Sequence, residues 1–91
     1  MKIRWTPPAV QDLEGINDFL REHYPHYCLP TMRKLYRKIQ LLRLTPYIGR
    51  SGRIEGTREI LFNPLPYIVV YRVKGEIVEI WRIWHGAQHR D

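Results

Sequence analysis

An α+β domain is predicted: an N-terminal strand, a helical hairpin packed on a small twisted, largely antiparallel sheet, in the order β-α-α-β-β-β. Three observations predict it. Two stretches in the first half carry apolar residues at helical spacing. Near residue 57 the hydrophobic period changes from 3.6 to 2. In the second half, turn residues separate three short runs rich in β-branched and aromatic side chains. A chain of 91 residues can build one hydrophobic core but not two, so residues 1–91 are expected to form a single domain.

The elements follow in order. "KIRWT" has the β-branched and aromatic content of a short strand. "TPPAVQDLEGINDFLREHYP" reads as the first helix. Thr6 can cap it, and Pro7 suits the first helical position, where its missing N–H costs nothing. Val10, Leu13, Ile16, Phe19 and Leu20 form its apolar stripe. Gly15 weakens the helix by about 1 kcal/mol relative to alanine, and so predicts the close approach of a neighbour. Pro25 ends the segment. The second helix is expected in "PTMRKLYRKIQLLRLTP", with Pro30 near its start and Thr45-Pro46 as its stop. Met32, Leu35, Ile39 and Leu42 face inward, and Arg33, Lys34, Arg37 and Lys38 stay on or near the outer side. "GRSGRIEG" reads as a connector into the sheet. The strands "TREILF", "YIVVYRV" and "EIVEIWRIWH" follow, the last two joined by a tight turn at Lys74-Gly75. Both of these runs are apolar on both faces at several positions, as central strands are.

Charge narrows the function classes. The formal net charge is +6 and the isoelectric point about 9.8, which suggests an acidic partner. The charge is uneven. Residues 12–22 hold four acids (Asp12, Glu14, Asp18, Glu22) against Arg21, whereas residues 33–58 hold eight bases against Glu55. No apolar run approaches the roughly 20 residues of a membrane-spanning helix. The N-terminus carries no apolar signal core, and the lone Cys28 has no internal disulfide partner, so a reducing cytoplasm is the expected compartment.

Candidate chemistry is sparse. His23, His26, His85, His89 and Cys28 make no ligand pair with zinc spacing, so no metal or other cofactor is expected. "GRSGRIEG" lacks the Gly-Lys-Ser/Thr ending of a P-loop and leads into a strand, not a helix. What remains is an arginine set, Arg53, Arg58, Arg72 and Arg82, with His85 at the end of the last strand. Arginine grips phosphate bidentately, and a histidine can move the protons of RNA cleavage without a metal. In the final strand, Arg82 and Trp84 are expected on one face, with Trp81 and Ile83 on the other. An equally available reading pairs the arginines with Glu59 and Glu79 across the sheet and leaves His85 as a strand-end residue. Tyr67, Tyr71, Trp81 and Trp84 could stack bases, although aromatics on central strands more often pack against helices.

Four segments then carry a resemblance: "W-T-P-x-A-x-x-D-L-x-x-I-x-x-F-L" at residues 5–20, "P-x-x-G-R-x-G-R-x-x-G-T-R-E-I" at 46–60, "P-Y-I-V-V-Y-R-V" at 66–73 and "V-E-I-W-R-I-W-H-G-A-Q" at 78–88. In this order they cover nearly the whole chain, which resembles the RelE/ParE superfamily, toxins of bacterial type II toxin–antitoxin modules linked to plasmid stabilisation. The resemblance implies a helical hairpin on a small antiparallel sheet, inhibition of growth, and neutralisation by a cognate antitoxin in a hetero-oligomer. RelE-like members cleave mRNA on the ribosome and usually place an arginine in a "Y-R-L-V-Y" strand, with basic residues on the strand before. Here the matching positions are Ile68, Glu59 and Leu61. An isoleucine cannot stabilise a pentavalent phosphate as a guanidinium does. The departure favours a ParE-like toxin that binds DNA gyrase. The alternative is a metal-free, ribosome-dependent mRNA endoribonuclease using Arg58, Arg82 and His85. Arg33, Arg37, Arg50, Arg53 and Arg58 are the residues expected to face the antitoxin or the target.

Overall fold

In the computed structural model, residues 1–85 are described; residues 86–88 of the resemblance and His89 lie outside the described residues. The chain runs β1 (Lys2–Trp5), α1 (Pro7–His23), α2 (Pro25–Leu41), β2 (Arg50–Ser51), β3 (Arg58–Leu61), β4 (Tyr67–Lys74) and β5 (Ile77–His85). Five strands form one sheet in the order β1-β5-β4-β3-β2. The architecture is α+β, as predicted, with two additions. The first strand pairs parallel to the last, Lys2 opposite Ile77 and Trp5 opposite Ile80. Inside the Gly-Arg connector, Arg50 and Ser51 form a two-residue edge strand against Glu59 and Arg58.

Local chemistry explains the helix boundaries. The Thr6 hydroxyl accepts from the Ala9 N–H and donates to the sheet carbonyls of Ile80 and Trp81, so the cap also ties α1 to β5. One non-helical residue, Tyr24, breaks the hairpin (φ −141°, ψ 62°), and α2 begins at once at Pro25. The expected start at Pro30 is therefore too late. Pro25 takes the first helical position, where proline fits, and Pro30 lies inside the second turn. The second helix also stops before Thr45-Pro46, at Leu41, where the Thr45 hydroxyl and N–H both donate to the Leu41 carbonyl.

Leu35, Ile39 and Leu42 of the α2 segment reach full burial against Val69, Tyr71, Val78 and Ile80 of the two central strands. Leu13, Ile16 and Met32 pack at the edge of this core, whereas Val10 and Phe19, expected in the stripe, are 40% and 51% exposed. Alternation along β5 breaks at a bulge, where Val70 pairs with Arg82 but Tyr71 pairs with Ile80. Ile80 and Ile83 consequently both reach the core although three residues apart. Trp81 instead lies under the Arg72 guanidinium, 5.0 Å from ring centroid to Cζ. The expected sharing of one face by Trp81 and Ile83 fails for this reason. The turn after β4 consists of Gly75 and Glu76, one residue later than Lys74-Gly75. Lys74 still pairs with Ile77, and Gly75 takes a positive φ of 60°.

Gly15 has no packing role. A Cβ there would meet nothing within 4 Å, against the expectation of a close neighbour. Gly15→Ala should therefore stabilise the protein by about 0.5–1 kcal/mol, through helix propensity alone. Chemical denaturation checks this; a lower midpoint would mean that the position carries a constraint other than space.

Candidate functional site

A groove runs between the end of α2 and the β2–β3 edge of the sheet. Its volume is about 340 Å³, and Leu41, Leu42, Ile48 and Ile60 supply apolar walls. The turn after α2 brings Ile48 and Gly49 alongside β3. It is held by the Gly49 N–H, which donates to the Tyr71 hydroxyl at 2.8 Å. Burial pushes the Tyr71 phenol up from its ordinary value, opposed by this hydrogen bond and by the nearby Arg58. Around the groove, Leu41, Leu44, Tyr47 and Ile48 remain 57–81% exposed, a large apolar surface for so small a domain. Two bases line it. Lys38 donates to the Leu61 carbonyl at 2.8 Å, and Arg50 reaches Glu59 at 3.3 Å. Glu59 is buried, and its second oxygen accepts the Arg53 N–H at 3.0 Å.

The arginines expected to face a partner divide between surfaces. Arg50, Arg53 and Arg58 cluster at the β2–β3 edge, with the Arg53 side chain exposed. Arg33 and Arg37 are exposed on α2 and do not line the groove.

The three residues named for RNA cleavage do not converge. Arg58 donates to the carbonyls of Gly49 (2.9 Å) and Tyr47 (3.1 Å) and lies over the Tyr47 ring, at the β2 side of the sheet. Arg82 lies on β5 with β4 between it and β3, about 10 Å away at ordinary strand spacing. Its guanidinium forms a fork with Asp12 of α1, Nε at 2.7 Å and Nη2 at 3.0 Å. These bonds hold Arg82 still more firmly protonated than usual. Asp12 also accepts the Ile83 N–H at 2.9 Å, satisfying the backbone of β5 beyond the end of β1. His85 pairs with Tyr67 at the far end of β4 and β5, its ring edge-on to Tyr67 at 5.9 Å. Ile68 is buried and pairs with Trp84.

A second cleft, of about 600 Å³, opens beside α1, between Gln11, Asp12, Gly15, Ile16 and Phe19 and the sheet residues Tyr67, Ile83 and His85. On the sheet between Arg4 and Arg72, the Glu79 carboxylate is 7% exposed, accepting from Arg4 and from Arg72 Nη2 at 2.8 Å. Hydrogen bonds from Arg72 and then Arg4 lower its pKa to about 2, against the opposing effect of burial. Glu59 and Glu79 thus pair with arginines across the sheet, as the sequence allows. Asp12 was missed as Arg82's partner, because the two lie 70 residues apart and only the packing of α1 on β5 joins them. Among the described residues no cluster of His, Cys, Asp and Glu could hold a metal, and no helix is long and apolar enough to cross a membrane.

Comparison with known proteins agrees with this geometry. The chain is 32% identical over 87 residues to Putative toxin Y4kP of Sinorhizobium fredii, covering 96% of this chain and 90% of that one. A solved structure described as a chromosomal ParDE TA system from P. aeruginosa superposes with a TM-score of 0.84 at 26% identity, covering 93% of this chain and 95% of that one. The E. coli DinJ-YafQ toxin-antitoxin complex shares the fold at 16% identity and a TM-score of 0.68, covering 99% of this chain and 97% of that one. Residues 3–90 match the family described as "ParE toxin of type II toxin-antitoxin system, parDE", and the chain belongs to that family.

Proposed function

We propose that this toxin acts by binding rather than by chemistry, and that its target is DNA gyrase. The observation that carries the reading is the state of the candidate phosphate-gripping groups. Arg82 is held by Asp12, Arg58 by two carbonyls, and the position where the nuclease branch keeps an arginine is the buried Ile68. A site for phosphoryl chemistry needs guanidinium groups aimed at developing charge, with little reorganisation. Here the groups point to different edges of the sheet and already serve the fold.

We further propose that a cognate antitoxin neutralises the toxin by laying an amphipathic, acidic segment into the groove beside α2, in a hetero-oligomer. The apolar walls would take its hydrophobic side chains, and the exposed Arg53 beside the groove, with the partly exposed Arg50, its carboxylates. The P. aeruginosa and E. coli structures, described as toxin–antitoxin systems, support such a partner.

The test compares two activities of the purified toxin: inhibition of gyrase-dependent supercoiling, and cleavage of mRNA in a translating extract. Inhibited supercoiling with intact mRNA is the expected result. Cleavage abolished by Arg82→Ala or His85→Ala would overturn the reading in favour of a ribosome-dependent endoribonuclease using Arg58, Arg82 and His85.

A further inference from the structure

We propose that the cleft on α1 is a second protein-docking site, built for a basic segment that inserts one bulky apolar side chain. It lies away from the α2 groove and has the opposite charge character.

The cleft lies between α1 and the ends of β4 and β5. Gly15 lines it, and a Cβ at Gly15 would meet no atom within 4 Å. A glycine in the middle of a 17-residue helix lowers helix stability and here admits no neighbouring element. The space beside it is open. Phe19, one turn further along the same stripe, is half exposed beside that opening. Ile16 and Ile83 form apolar walls, and Tyr67 and His85 close the sheet side. The Asp12 carboxylate is fixed by the Arg82 fork and the Ile83 N–H, so that wall is rigid.

Charge selects the occupant. Glu14, Asp18 and Glu22 repeat at four-residue spacing on the exposed face of α1, next to Gly15 and Phe19. Among the described residues Glu14 and Asp18 have no ion-pair partner, and Glu22 has only the exposed His23 at 4.0 Å. Like charges four apart repel along a helix, by a few tenths of a kcal/mol per pair. With only Arg21 among them, these acids leave this stretch of α1 negative in a chain of net charge +6. An acidic antitoxin segment is repelled here and attracted to the α2 groove. A basic segment with an aromatic or large aliphatic anchor is matched by both the charge and the shape. This does not depend on which cellular target the toxin engages.

A random dodecapeptide display library, panned on the folded toxin and on its Gly15→Leu variant, tests the proposal. Leucine is a better helix former than glycine and its side chain enters the open cleft, so the variant should fold, which circular dichroism verifies. The expected result is a set of peptides that bind the wild type at least tenfold more tightly than the variant. That set should be net positive, with a Trp, Phe, Leu or Met in each member. Asp18→Lys with Glu22→Lys should weaken the same set and remove most of its salt dependence. If no peptides are lost on Gly15→Leu, or if those lost are net negative, the proposal is overturned.

Discussion

Gly49→Val is expected to destabilise the protein by about 3 kcal/mol or more. An added Cβ would stand 2.7 Å from the Tyr71 hydroxyl, 2.8 Å from its ring and 2.9 Å from the Glu59 carbonyl oxygen. None of these can yield cheaply. Tyr71 is fully buried at the centre of the core, and Glu59 belongs to the β3 backbone. The Gly49 N–H would also lose its acceptor if the turn shifted to relieve the clash. Denaturant unfolding of Gly49→Ala, Tyr71→Phe and the double variant separates the two effects. Tyr71→Phe alone should cost about 1–2 kcal/mol, by leaving a buried N–H unpaired. The double variant should cost less than the sum of the singles, because removing the hydroxyl removes one of the clashing atoms. Strict additivity would show that Gly49 is kept for some reason other than Tyr71. The consequence reaches function as well, since this turn forms one wall of the groove proposed for the antitoxin.

Glu79→Gln is expected to lower stability near neutral pH by about 1–3 kcal/mol, since it removes the charge that Arg4 and Arg72 share. The pH dependence distinguishes this from loss of packing. The folded-state pKa of Glu79 is about 2, below the ordinary 4.5, so the folded protein holds this carboxylate ionised where the unfolded chain would protonate it. Its contribution is fully present above about 4.5 and is lost as pH falls towards about 2. The gap between wild type and Glu79→Gln should therefore be widest near neutrality and close in acid. A gap that persists unchanged at pH 2 would assign the effect to shape rather than charge.

The lines of the fold with local causes were readable from the chain. Thr6 and Pro7 mark the start of α1 because capping chemistry acts within three residues. The runs of β4 and β5 announce central strands because both faces of a covered strand are apolar. The two-residue β2, the bulge opposite Val70 and Tyr71, and the parallel pairing of β1 were not readable, since each depends on which strand lies alongside. Pro30 misled because Pro25, five residues earlier, already takes the first helical position, so that Pro30 falls inside the helix.

Residue type named Arg58, Arg82 and His85 as capable of acting on phosphate, and the resemblance singled out Ile68 as a position without the guanidinium. Whether those groups meet was a matter of tertiary placement. Asp12 comes to Arg82 from 70 residues away, Arg4 to Glu79 from 75, and the carbonyls of Tyr47 and Gly49 fold back onto Arg58. Composition sets how many charges a chain carries and of which sign. Which of them remain available to a partner is decided by the contacts that folding makes first, and a guanidinium already bonded to a carboxylate has much less to offer a phosphate.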